Sequence, residues 1–587
     1  MEDEIYFKWV DYVLFFLTLL LSFVIGVYIA VYKNKDRTTS EYSLGSRSMS
    51  FFPIGLSLVS SHVSGNTLIA VPAEIYQFGC YYFLTILSDV LIVVLMYYIF
   101  LPLYFKLQLT SIFEYLKQRF DVTLLRLVSV LNIIGTVTYT PLVIYLPAVT
   151  FSRVTGLNLY MIIIVISLMC IIYTTVGGFK AVIWTDAVQF FMMVGSMFVV
   201  LYLGIHSAGG LPIIWKTAKN RGFFDIFDFS FDATRRDTFW SAFVGNLFFG
   251  ASISVVNASC MQKYLALPDF SKVKKCVALH FAGIIVIKLV TVFTAVAAYA
   301  YYVGCDPITT NRIKAPDQLM SLFVMDISKN LPGLPGLYIV GICSAALSTL
   351  SSNLNTISMC VYQDLLLPWI PTHTTEERRT NILKLLVLIF GGISVVLALL
   401  VEKIGGIFAF ATAAQGISGG PLLGLFILGM FFPCANAKGS LIGGTVALII
   451  NGWLIFGNMW YRTQGLLEYK RKPTFTDNCP DNINTTIIIS STIKSDADIF
   501  ILYRISFWYF TVIGTIMVVV VGVIVSWLTK EKNFKVNSNL LSPIARVIMR
   551  KTDVPHSGVY YDVNEAKIVT SERSDNTNFN CKTDILS

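Results

Sequence analysis

The sequence predicts an all-α membrane protein of about thirteen spanning helices, and three observations carry that reading. Of its 587 residues 55% are hydrophobic and only 13% charged, roughly half the charged share of an average soluble protein and too little to cover a water-soluble surface. Apolar windows of about 20 residues, the length that crosses a bilayer as a helix, recur along almost the whole chain. The alternation over about ten residues that marks a membrane β-barrel strand does not dominate.

Taken in order, the first apolar run, 10–32, follows an acidic Met1-Glu2-Asp3-Glu4 start. It lacks a basic leader and is too long for a signal-peptide core, so it reads as a retained helix. The second, 51–78, is polar within and carries Gly65 and Pro72, which predict a break. Runs at 82–105, 127–152, 158–176 and 185–205 follow, the last two flanking Gly177-Gly178. Those at 238–262, 277–303, 333–360, 383–402, 406–432, 439–459 and 502–528 complete the set. After Trp527 the chain turns rich in Ser, Asn, Asp and Lys, which predicts a mostly disordered tail over 531–587.

Charge sets the orientation. If the first helix runs outside to inside, Lys33, Lys35, Arg37, Arg47, Lys106, Lys117, Arg119, Arg126, Lys272, Lys274, Lys275, Arg378, Arg379, Lys530, Lys532 and Lys535 fall on one side. That side is the cytoplasm, with the N-terminus extracellular, the C-terminus cytoplasmic and the plasma membrane as the expected location. Asn484-Thr485-Thr486 is a glycosylation sequon, and this topology places it outside. One basic loop disagrees, since Lys216, Lys219, Arg221, Arg235 and Arg236 also fall outside. The net charge of +9 therefore reads as topology, not nucleic-acid binding.

Ten cysteines lie mostly within apolar runs, as small apolar side chains. Cys305 and Cys479 fall in polar loops and pair only if those loops face an oxidising side. The five histidines lack metal-ligand spacing and no phosphate-binding glycine loop is present, so no enzyme and no direct ATP drive is expected.

The informative feature is polarity where lipid forbids it. Ser344, Ser348, Ser351, Ser352 and Asn355 share one face of the 333–360 helix, with Thr349 bordering it. In the 51–78 span Ser57, Ser60, Ser61 and Ser64 repeat the same pattern just before Gly65-Asn66-Thr67. Two such faces meeting at a broken helix would supply hydroxyl and carbonyl oxygens to a dehydrated monovalent cation. The alternative is that small polar residues simply let helices pack closely. Asp186 has two readings as well, a carboxylate facing a cavity or partner and a helix-start carboxylate at the interface. With one ion, about 60 mV supplies about 1.4 kcal/mol and a tenfold gradient about 1.4 more, enough for roughly hundredfold accumulation of a neutral solute.

These residues carry a resemblance. Leu44-Gly45-Ser46-Arg47, Ser57-Leu58-Val59-Ser60-Ser61, Pro72-Ala73-Glu74-Ile75-Tyr76-Gln77-Phe78-Gly79, Thr110 to Leu116, Gly177 to Gln189, Cys305-Asp306-Pro307, Ser344 to Asn355 and Gly420 to Phe426 resemble the motifs of the sodium/solute symporter family. Within that family the likeness is to the branch of multivitamin, monocarboxylate and iodide symporters, over about residues 10–530. The resemblance implies a leucine-transporter-like core of two inverted five-helix repeats, 51–205 and 238–432. Around it lie an N-terminal helix and loop (1–50), an external loop (206–237) and C-terminal helices with a glycosylated external loop (433–530).

It further implies that Ser348 and Thr349 give hydroxyl ligands to Na+, that Ala345, Ser60 and Val63 give carbonyls, and that Asp186 supports the site. Ser351, Ser352 and Asn355 take secondary roles on the same face, while Asn66 and Asn257 face the solute cavity. Three departures stand out: Asn257-Ala258 where the family often has Asn-Gln, Gln262-Lys263 where it often has Gln-Arg, since Lys lacks the planar fork of Arg, and His62 beside Val63, read either as a pH-sensitive tuner or as a neutral interface residue. The function implied is sodium-coupled import of a small organic or inorganic anion or a vitamin. A non-transporting sensor on the same scaffold and a channel, for which no charge rings are evident, are the alternatives.

Overall fold

The computed structural model describes residues 7–29, 38–313, 315–329, 331–401, 407–467, 469, 471–477, 479, 499–529 and 536–552. Among them every regular element is helical. Those used below are α1 (Trp9–Tyr28), α2 (Phe51–His62), α3 (Gly65–Phe78), α4 (Cys80–Leu107), α5 (Val122–Thr155), α6 (Leu159–Ser207), α7 (Phe239–Val255) and α8 (Ala258–Leu265). They continue with α9 (Phe270–Tyr301), α10 (Leu334–Cys360), α11 (Glu376–Ala398), α12 (Ile407–Phe431), α13 (Ala437–Thr463), α14 (Phe510–Leu528) and α15 (Pro543–Thr552).

Nine described helices are long and apolar enough to cross a membrane, or eleven if each of two bent pairs is one span. The expected thirteen differs from this at two places. The runs at 158–176 and 185–205 form one element of 49 residues, α6. At about 1.5 Å per residue it reaches about 70 Å, long enough for two passes. Its bend is Gly178, at φ 58° and ψ −158°, a conformation that only glycine adopts readily. The run at 406–432 forms α12, an apolar helix of 25 residues, of which only the part Gln415–Phe431 enters that count.

Burial orders the bundle. The most apolar window of the span that begins with α10 is 94% buried, whereas those of α1 and α11 are 28% buried, so α10 is central and the other two are peripheral. It packs along α6, and α2 is held between α6, α9 and α10. The crossing of α2 and α9 is close enough that a Cβ on Gly283 would fall 2.6 Å from Val59 Cγ2. Small residues are what allow backbones to approach this way in a membrane.

Each predicted repeat opens on a bent pair. α2 and α3 meet at 51°, as do α7 and α8. In the first, Val63 (φ −87°, ψ 112°) and Ser64 (φ −103°, ψ 174°) are extended, and α3 starts at the next residue. In the second, Asn257 is the hinge, and its Oδ1 accepts from Cys260 N at 3.1 Å to start α8.

A disulfide joins Cys305 to Cys479. Beside it, Asp306 N donates to Phe475 O and the Tyr76 hydroxyl donates to Asp306 Oδ1 at 2.6 Å, which ties this loop layer to the end of α3. The sequon residue Asn484 lies outside the described residues.

Within the tail that reads as mostly disordered over 531–587, residues 536–552 fold and end in α15, while 553–587 lie outside the described residues. Tyr115 donates its hydroxyl proton to Leu540 O at 3.1 Å, Lys106 Nζ donates to Asn539 Oδ1 at 2.9 Å and Ser542 N donates to Met430 O at 2.9 Å. The reason is local: Leu540 and Leu541 are buried, an apolar pair too small to register against the polar average of the tail.

Candidate functional site

The two hydroxyl-rich faces do meet, at the point where α2 breaks. The last hydrogen bond of α2 runs from Val63 N to Val59 O at 3.1 Å, so the carbonyls beyond Val59 leave the helical ladder. One of them, Ser61 O, lies 3.3 Å from Thr349 Oγ1 on α10, which also lies 3.0 Å from Ala345 O. Ser60, Val63, Ala345, Ser348 and Thr349 are all buried here. Ser60 Oγ and Ser348 Oγ have no hydrogen-bond partner among the described residues. A buried hydroxyl left unpaired costs about 1–3 kcal/mol, so each of these two is available to a ligand.

Asp186 is fully buried and faces a partner, as the first of its two readings requires. Its carboxylate accepts from Ser57 Oγ at 2.6 Å, Ser352 Oγ at 3.2 Å and Ser351 Oγ at 3.4 Å, and it pairs with Lys263 Nζ at 3.0 Å. Lys263 also donates to Ser61 Oγ at 2.6 Å, Ser352 Oγ at 2.8 Å and Ser57 O at 3.2 Å. The polar stripes of α2 and α10 thus share two neighbouring clusters, one of neutral oxygens and one around a neutralised ion pair. Asn355 is buried on α10 but is not among the contacts of Asp186 or Lys263.

Above Thr349 opens a cavity of about 240 Å³. Asn66 and Asn257 both line it. Asn66 Oδ1 is buried without a hydrogen-bond partner among the described residues, whereas Asn257 Oδ1 caps α8. His62 lines the cavity as well, its ring edge-on to His280 at 5.4 Å, and His280 Nδ1 lies 2.7 Å from the Tyr264 hydroxyl. Trp508 marks one boundary of the cavity, and its indole N–H donates to Asp237 at 3.1 Å. Next to it Arg236 pairs with Glu74 and Asp237 and lies 3.3 Å over the Phe78 ring. Burial opposes the charge of that guanidinium, but Asp237 and Glu74 outweigh it and hold its pKa above the usual range.

At the opposite end polar contacts tie the elements together. Gln262 Nε2 donates to Ser43 O at 2.6 Å, Tyr42 donates to Thr175 O at 3.2 Å, and Lys180 pairs with Glu41 at 2.5 Å. Arg47 donates to Gln108 and to Leu109 O.

Sequence reasoning named Lys263 only as a departure and missed its pairing with Asp186. It also passed over Asp89 and Lys288, whose charges sit inside apolar runs and form a second buried ion pair, Nζ to Oδ2 2.6 Å. An ionisable residue within a span was the available signal.

Comparison with known proteins bears on the whole chain. The profile of the "Sodium:solute symporter family" matches residues 42–447. The "Sodium-coupled monocarboxylate transporter 2" of Mus musculus is 34% identical over 544 residues, covering 92% of this chain and 87% of the relative. "Sodium-coupled monocarboxylate transporter 1" of Homo sapiens is 32% identical over 531 residues, 88% and 86% of the two chains. The "Sodium-dependent multivitamin transporter" of Oryctolagus cuniculus is 33% identical over 545 residues, 89% and 83%. A solved structure of a Na+-coupled sialic acid symporter matches with a TM-score of 0.72 at 23% identity, over 89% of this chain and 98% of that one, a likeness of fold.

Proposed function

Because the chain belongs to the sodium:solute symporter family, we propose that this multi-pass transporter brings a small monocarboxylate or related organic anion into the cell with sodium. The relatives at about one-third identity include transporters of monocarboxylates and of vitamins. The observation that carries the ion half of this reading is the pair of unpartnered buried hydroxyls, Ser60 and Ser348, where the open carbonyls of α2 face Thr349. Na+ is held there by the hydroxyls of Ser348 and Thr349 and the carbonyls of Ala345, Ser60 and Val63. Hard oxygen ligands without full charge suit an ion that must be released again. The Asp186–Lys263 pair borders the site, and Ser351 and Ser352 orient Asp186.

The solute occupies the adjoining cavity, bounded by Asn66 and by the hinge at Asn257. Repeats 51–205 and 238–432, each opening on a bent pair, rock about this point to alternate access. The form described faces outward: its cavity reaches Trp508 on the side of the disulfide, while the Gln262, Tyr42 and Lys180 contacts seal the other end. A disulfide on that side fits an oxidising exterior. The plasma membrane, with the N-terminus outside, follows.

Uptake of acetate, lactate, butyrate, biotin, pantothenate and iodide, with sodium present or replaced, tests the function. Sodium-dependent accumulation of at least one monocarboxylate is expected. Accumulation of none, under conditions where the protein is at the cell surface, would return the sensor reading. Orientation has its own test. Glycosidase should increase the gel mobility of the native protein, and Asn484→Gln should abolish that change. A protein without glycan at Asn484 would count against the assigned topology.

A further inference from the structure

The charge pair Asp89–Lys288 has no part in the sodium cluster. Asp89 stands on α4 and Lys288 on α9, with side chains 6% and 9% exposed, and both line the cavity. Neighbouring them are Tyr82, whose ring centroid lies 5.5 Å from Lys288 Nζ, and Asn246, whose amide donates to Thr85 O at 3.2 Å. A buried ion pair contributes little net stability, because desolvation offsets the attraction, and apolar residues of the same volume pack as well. Charges inside a membrane span instead mark the path of a polar cargo.

Two details give the pair a direction. An ammonium has three N–H donors; Lys288 Nζ stands 2.6 Å from Asp89 Oδ2 as an ion pair, that oxygen makes no hydrogen bond among the described residues, and Lys288 lines the cavity. The cavity, at about 240 Å³, is below the range of about 300–1,000 Å³ typical of drug-sized ligands.

Resting on the reading of this cavity as the solute site, we infer that Lys288 is the counter-ion of the solute's carboxylate and Asp89 the resident counter-ion that it exchanges. The solute class is a short-chain monocarboxylate. On entry the carboxylate takes over ammonium donors and the Asp89 contact loosens. On release Asp89 recaptures the ammonium, so the cation is never left bare and the anion is not trapped. A cavity with Lys288 alone would hold the anion too firmly to let it go; one with neither charge would not prefer anions over their amides.

The experiment measures sodium-dependent uptake of butyrate, with butyramide as the neutral competitor, in wild type, Lys288→Arg, Asp89→Asn and the charge-free double variant K288M/D89N. Surface protein is quantified in each. We expect the double variant to raise the butyrate KM at least tenfold and to lose its preference for butyrate over butyramide, while Lys288→Arg retains both. Asp89→Asn should lower the butyrate KM about fivefold or more, lower kcat, and be heat-stabilised by butyrate to a greater extent than wild type in detergent. A double variant with wild-type KM and anion preference overturns the proposal, as does Asp89→Asn with a raised KM and no extra stabilisation by butyrate. If the double variant does not reach the surface, the heat-stabilisation comparison decides alone. A wild-type protein that takes up no monocarboxylate with sodium instead refutes the function on which the inference rests.

Discussion

Lys263→Met should tighten the apparent sodium affinity of the protein that reaches the membrane, and Asp186→Asn should weaken it. The two residues form a neutral unit, Nζ to Oδ2 3.0 Å, enclosed by Ser57, Ser61, Ser351 and Ser352. Ser61 belongs to both clusters: its hydroxyl accepts from Lys263 and its carbonyl faces Thr349. Removing the ammonium leaves a negative charge beside the proposed sodium ligands; removing the carboxylate leaves a positive one. Two unit charges about 8 Å apart interact by about 2 kcal/mol at an effective dielectric of 20, more than a tenfold change in affinity. Each single variant also carries a folding penalty of about 3–5 kcal/mol, the cost of breaking a buried pair from one side. The combination K263M/D186N removes both charges and keeps an amide for the serine hydroxyls. Its heat stability in detergent should therefore exceed that of either single variant. Sodium activation curves for uptake, normalised to surface protein, check the signs. Shifts in the same direction, or additive losses of stability in the double variant, would show that the residues do not act as one unit.

How far the sequence reaches is visible in these same residues. The serine stripes were legible because five polar positions at helical spacing stand out against an apolar background, and helical periodicity then says which of them share a face. The broken helix was legible from Gly65, which opens α3 just after the break, whereas Pro72 lies inside α3 without interrupting it. Asp186 was legible as a charge out of place, but its partner was not. Lys263 sits on α8, a helix of eight residues that starts at the Asn257 hinge, too short a run for periodicity to say which way it points. Asp89 and Lys288 announced themselves equally well as charges within spans. What joined them is a tertiary contact between α4 and α9, and no local pattern encodes that. The helix count differed for a related reason: Gly177-Gly178 reads as a gap between two runs, whereas a single residue at positive φ makes the bend and helix continues on both sides. In the tail, composition averaged over about fifty residues concealed a buried Leu540-Leu541 pair.

Ser348→Ala should weaken sodium activation of uptake by tenfold or more without loss of stability. That separation is the useful feature of this position. The Ser348 hydroxyl oxygen is buried with no partner among the described residues, so deleting it removes no protein hydrogen bond and relieves an unsatisfied group that costs about 1–3 kcal/mol when the ion is absent. The apparent sodium affinity has no such compensation, since a dehydrated ion loses one of the few oxygens that replace its water. Thr349 behaves differently, because its hydroxyl bridges Ala345 O and Ser61 O. Thr349→Val should lower both sodium affinity and heat stability, the latter by about 1 kcal/mol for the lost hydrogen bond, and Thr349→Ser, which keeps the oxygen, should restore both. Sodium-dependent heat stabilisation of purified protein provides a second readout independent of the solute: it should be pronounced in wild type and reduced in Ser348→Ala. Sodium activation and sodium-dependent stabilisation both unchanged in Ser348→Ala would place the ion elsewhere, and the two faces would then be what close helix packing alone requires.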